Sequence, residues 1–196
     1  MRQITLLLTF MIAMMATVAV ATAQQHQTQP LTTTTTTPTT TAQQTTRDAN
    51  REKLRALLDA AGPKINVTFR QSDKQPYNFV GILKTGLTNA DAFEIVISVS
   101  AQDTIHFRIF PHYKDAYLNI DKVRSTEGLM RHMVRFSDQN FLFWGADNSG
   151  DIFAGYNFTL ESGFPDASIR VVLNSIAKLD EFVGQMRPEI DGSSAP

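Results

Sequence analysis

The sequence predicts an α+β fold: a two-layer sandwich in which an antiparallel sheet carries helices on one face. Three observations predict it. Between residues 65 and 160, runs of alternating apolar and polar residues come in pairs joined by polar turns, the pattern of hairpins. Segments with apolar residues at helical spacing flank and interrupt these pairs, in the order α-ββ-ββ-α-ββ-α. The middle pair is apolar on one side and polar on the other, so helices cover one face and leave the other open.

Each element follows from local chemistry. Residues 47–61 are rich in strong helix formers, place Leu54, Leu57, Leu58 and Ala61 on one face, and stop at Gly62-Pro63. Runs 65–70 and 77–85 form the first expected hairpin, with 71–76 as its turn. In the second hairpin Phe93, Ile95, Ile97 and Val99 oppose Glu94, Ser98 and Ser100. After a turn at Ala101-Gln102-Asp103, Ile105, Phe107 and Ile109 oppose His106 and Arg108. Ser125 or Thr126 caps a helix to about Phe136 whose expected buried stripe is Leu129, Met130, Met133 and Val134. Phe141-Leu142-Phe143-Trp144 is apolar on both sides; residues 147–151 turn the chain, and Ile152, Ala154, Tyr156, Phe158 and Leu160 keep strict period two. A final helix spans residues 166–186, with Pro188 just beyond its end and Ile169, Val172, Leu173, Ile176, Leu179, Phe182, Val183 and Met186 facing inward.

The front of the chain reads differently. Arg2, an uncharged and mostly apolar stretch over 4–20, and Ala21-Thr22-Ala23 make a signal peptide (1–23) cleaved after Ala23; an uncleaved membrane anchor is the rival reading. A lipid anchor needs a Cys at the cleavage point, and the chain has none. Residues 24–46, almost wholly Thr, Gln and Pro, lack the apolar surface to offset the entropy of ordering and are expected to be a disordered tether. The folded domain is 47–190, and 191–196 form a disordered tail. No second apolar segment of spanning length follows, so the mature protein is expected to be a periplasmic or secreted bacterial protein with no integral membrane segment.

Composition narrows the function. Without Cys there are neither disulfides nor thiolate metal sites. A net charge of −1, with acids and bases interspersed, provides no footprint for nucleic acid. His106 and His112 lie six apart with no third ligand at suitable spacing. Asp147-Asn148-Ser149-Gly150-Asp151 begins like a calcium loop but has Ile152 where that loop needs Gly and Phe158 where it needs Glu, so it is a hairpin turn. Asp180 and Glu181, adjacent on a helix, cannot face one another across a substrate and read as a solvated edge. No nucleophile elbow, phosphate loop or zinc-protease signature is present. The expectation is a non-enzymatic protein with no catalytic residues, no cofactor and no metal.

What remains is a contact surface. Glu94, His106 and Arg108 fall on the open face; Leu142 and Trp144 would join them if their strand turns that side outward, and otherwise belong to the core. The expected partner is a protein of unknown identity, with a second copy of the chain as one candidate. The alternative is a small-molecule-binding domain with a pocket between helices and sheet, suggested by the many Phe residues.

The stretch Phe141-Leu142-Phe143-Trp144-Gly145-Ala146-Asp147, the run 151–160, then Glu161-Ser162-Gly163-Phe164-Pro165 and Leu179-Asp180-Glu181-Phe182-Val183 resembles the YbjN-like family of bacterial sensory transduction regulators. The similarity covers residues 125–186; the earlier elements match in order alone. It implies the fold of type III secretion chaperones: a helix-flanked antiparallel sheet that binds protein, often as a dimer, without cofactor or catalytic residues. An export signal departs from that family's cytoplasmic form.

Overall fold

Residues 39–194 are described by the structure, a computed structural model; the expected cleavage point at Ala23 and the tether as far as residue 38 lie outside them. Helix α1 (Thr39–Ala61) starts within the expected tether rather than at Arg47. The Thr residues of this stretch are poor helix formers, and tertiary contacts supply what propensity lacks. The Gln43 side chain donates to the Ala101 carbonyl at 2.6 Å, and Arg47 donates twice to the Val99 carbonyl at 2.9 and 2.8 Å. The Arg47 guanidinium also lies 3.6 Å from the centre of the Tyr77 ring, whose hydroxyl donates to Asp48.

The sheet comprises β1 (Arg70–Gln71), β2 (Asn78–Leu83), β3 (Ala92–Val99), β4 (Thr104–Tyr113), β5 (Ala116–Tyr117), β6 (Phe143–Ala146) and β7 (Ile152–Thr159). Its order is β1-β2-β3-β4-β7-β6, with β5 paired to β4, and every pairing is antiparallel. The second and third expected hairpins are β3-β4 and β6-β7. The first is reduced. A 3-10 turn at Gly62–Ile65 ends at Asn66 in the left-handed conformation (φ 57°), so most of the run 65–70 is irregular and only Arg70 of it is in strand, paired with Gln71 from the expected turn as β1. The short β5 was not expected; Lys114 and Asp115, both at positive φ, form the two-residue turn that folds it back onto β4.

Helices α1, α2 (Thr126–Gln139), α3 (Asp166–Ser175) and α4 (Leu179–Ile190) share one hydrophobic core with a single face of the sheet. Strand alternation supplies Phe93, Ile95, Ile97, Ile105, Phe107 and Ile109 to that core, all fully buried. Ser125 caps α2 by accepting from the Gly128 N–H. The stripe on α2 is rotated from the expected one: Leu129, Met133 and Phe136 are buried, whereas Met130 and Val134 are 51% and 70% exposed. The helix rolls toward β6 and α4 because Phe136 meets Trp144 and Phe182 there, at ring separations of 6.2 and 4.5 Å.

The last helix is two. A 3-10 turn at Ile176–Lys178 separates α3 from α4, and Pro188 lies inside α4 rather than beyond it. Near the helix end Pro forfeits one backbone bond without stopping the chain. Asp180 is not a solvated edge. It is buried in the first turn of α4 and accepts from the backbone N–H groups of Thr88, Asn89 and Ala90 at 2.7, 3.0 and 2.7 Å, which pins the β2-β3 connection to the helix. Just beyond α4, Asp191 accepts from Lys114 at 2.6 Å and from the Tyr113 hydroxyl at 2.8 Å.

Candidate binding face

The uncovered side of the sheet is organised in cross-strand rows. One row runs Phe143, Gly155, Arg108, Val96, Val80 and Arg70, from β6 at one edge to β1 at the other. The next runs Gly145, Phe153 and, through β4 and β3, Phe110, Glu94 and Ile82. Glycine alternates with phenylalanine between β6 and β7 for a steric reason. A Cβ on Gly155 would stand 2.6 Å from the Phe143 ring, and one on Gly145 would stand 3.3 Å from the Phe153 ring, so each ring lies against the backbone of the opposite strand.

The result is a continuous belt of rings. Phe143 meets Phe153 edge-on at 6.0 Å, Phe153 meets Phe110 at 5.6 Å, Phe110 meets Tyr117 at 5.9 Å, and Tyr117 meets His112 at 4.4 Å. Such pairs are favourable beyond the area they bury, so the belt is held in one arrangement. Phe143 at one end of the belt and Tyr117, the last Phe or Tyr ring toward the other, are each 40% exposed. The Arg108 guanidinium lies 4.9 Å from the Phe153 ring centre, within cation-π range. The Tyr117 hydroxyl donates to Glu94 at 2.8 Å; partial burial, then that bond to the carboxylate, push its pKa up to about 12.

Of the residues expected to form a contact surface, Glu94, His106 and Arg108 come together on this face, with His106 bonded to Asn157 at 2.8 Å. Leu142 and Trp144 do not. They are 1% and 8% exposed and point into the helix-side core, where Trp144 sits between Phe136 and Phe182. Phe143, in the opposite phase of the same strand, takes the open face instead. Sequence reasoning missed Phe143, Phe153, Phe110 and Tyr117; the signal for the first two was the glycine facing each of them across the hairpin.

Other features lie apart from the belt. Asp147 closes the β6-β7 turn by accepting from the N–H groups of Ser149 and Asp151 at 2.8 and 3.0 Å, as expected of a hairpin turn. Among the described residues no cluster of three or more His, Asp or Glu is arranged to hold a metal ion, and no helix is long and apolar enough to cross a membrane. An apolar cleft of about 230 Å³ opens between α3 and the helix-facing side of β7, lined by Phe141, Tyr156, Phe158, Ser168, Val171 and Val172, in the place expected of a pocket between helices and sheet.

The exposed edge of the sheet is partly closed. The Ser137 hydroxyl, at the end of α2, accepts from the Trp144 N–H at 2.9 Å, so this backbone donor on edge strand β6 is occupied.

Comparison with known proteins adds little beyond this geometry. The chain matches no protein-family profile and no curated protein. Among solved structures it is similar to a chain in the crystal structure of the ExsC-ExsE complex, at 15% identity and a TM-score of 0.42, covering 73% of this chain and 98% of that one.

Proposed function

We propose that this protein is an exported, non-enzymatic binding module that receives a protein partner on the open face of its sheet. The observation that carries the reading is the ring belt from Phe143 to Tyr117, partly exposed at both ends on a face that no helix covers. Aromatic side chains held rigidly beside an arginine are the residue types that dominate protein contact surfaces, because they bury much area at little further cost in conformational entropy. The resemblance of residues 125–186 to YbjN-like proteins supports the same class of activity. Arg2, the apolar stretch over 4–20 and Ala21-Thr22-Ala23 support export, with Gln24 as the mature N-terminus.

The test compares capture from the envelope fraction by the wild-type protein and by a variant carrying Phe143→Ser and Tyr117→Ser, after circular dichroism has shown that both are folded. Proteins retained by the first and lost from the second are the expected result. Identical retained sets would sink the reading. Intact mass of the exported protein tests the other half: a mass beginning at Gln24 establishes cleavage, and one retaining Met1 establishes the anchor.

A further inference from the structure

The charges on the open face are unequal in their commitments. Its carboxylate Glu94 accepts from Tyr117, and His106 is bonded to Asn157. Arg108 is exposed, lies over Phe153, and has no ion pair or hydrogen bond among the described residues. Its neighbours in the row are Phe143, across Gly155, on one side and Val96 then Val80 on the other, and the row ends at the exposed Arg70.

We infer that the partner presents to this face an acidic segment whose aspartate or glutamate side chain pairs with Arg108 and is flanked by apolar residues. This rests on the reading of the open face as a binding surface and adds the chemistry of the partner. A planar guanidinium with free donors, backed by an aromatic ring, suits bidentate recognition of a carboxylate. The flanking Phe143 and Val96 require apolar groups on both sides of that carboxylate, which places it within a chain rather than at its end. Arg70 stands three strands away from Arg108, about 14 Å at ordinary strand spacing. An extended segment crossing the strands therefore meets it with a second acidic residue about four positions along. A nucleic acid fits less well. The belt rings meet edge-on or tilted, Phe153 is covered by Arg108, and the two arginines share the face with Glu94.

The test is selection of random displayed peptides on the full chain, repeated on Arg108→Glu and on the Phe143→Ser/Tyr117→Ser variant, with a fluorescent oligothymidylate as a second probe. The expected result is enrichment of an acidic residue between aromatic or aliphatic ones, affinity for Arg108→Glu weaker by at least about tenfold, and renewed selection on that variant turning toward basic residues. Peptides that lack acidic enrichment, or that bind Arg108→Glu undiminished, yet are lost on the double variant, overturn the acidic partner and leave the binding face standing. Absence of any peptide that depends on the double variant's residues overturns both. Oligothymidylate binding that Arg108→Glu abolishes, without peptide selection, overturns the inference in favour of nucleic acid.

Discussion

The two faces of the sheet use the same strands for opposite ends. On the helix side, Phe93, Ile95, Ile97, Ile105, Phe107 and Ile109 are fully buried and packed against four helices. On the other side the intervening residues of the same strands are Glu94, Val96, His106, Arg108 and Phe110, of which Arg108 is exposed and the others half-buried. The first set is chosen by volume and apolarity, and the second by ring geometry and charge. A face that only needed to be wet would not place glycines at positions 145 and 155 to seat two phenylalanine rings, since glycine weakens a strand interior. The difference teaches that burial on one face stabilises the fold and leaves the other free to carry a contact surface.

That contrast can be broken by substitution. Phe107→Ala, on the helix side, removes a fully buried ring in edge contact with Phe158 and should destabilise by about 4 kcal/mol in urea denaturation. Phe110→Ala, three positions along on the open side, should cost about 1 to 2 kcal/mol. Equal losses would mean that the two faces contribute alike. Next in size is Asp180→Ala. It strips the acceptor from three backbone N–H groups and should cost about 3 kcal/mol, with amide exchange accelerating at Thr88, Asn89 and Ala90.

Gly155→Ala acts on the open face alone. The new methyl group must lift the Phe143 ring, so a loss of about 1 kcal/mol is expected together with a change in near-ultraviolet circular dichroism. Unchanged dichroism would show that the ring is not held on the sheet. The smallest effect is a titration. Tyr117 ionises near pH 12 in the folded protein against about 10 unfolded, so its contribution to stability is complete below about pH 10 and is lost as pH rises through the folded value. Glu94→Gln should bring that ionisation down only part of the way, because burial is the larger cause. A phenol unmoved by Glu94→Gln in ultraviolet titration would remove the hydrogen bond from the account.

Long periodic segments were legible because their residues record which side is buried. The β3-β4 hairpin, the start of α2 at Ser125 or Thr126 and the β6-β7 hairpin with its Asp147 turn all follow from spacing and turn chemistry. Elements that depend on a distant partner were not. The first turns of α1 are helical because Ala101, Val99 and Tyr77 supply hydrogen bonds and a ring to lie against, and nothing within the Thr- and Gln-rich stretch announces them. The rotated stripe on α2 has the same origin, since period 3.6 allows either Met130 and Val134 or Phe136 inward and the neighbours Trp144 and Phe182 decide.

The candidate site divides in the same way. By itself the sequence determined that Glu94, His106 and Arg108 share a face, because side chains alternate along an extended strand and the apolar sets of both hairpin strands must turn to the same core. Only the tertiary structure decided that Trp144 turns inward and Phe143 outward. Alternation defines two sets of side chains but not which set meets the helices; that depends on β7 lying beside β4 and on α2 packing over β6. It likewise decided that Phe110, Phe153 and Tyr117, far apart in the chain, form one belt around an arginine, since such contacts exist only when the strands that carry them pair.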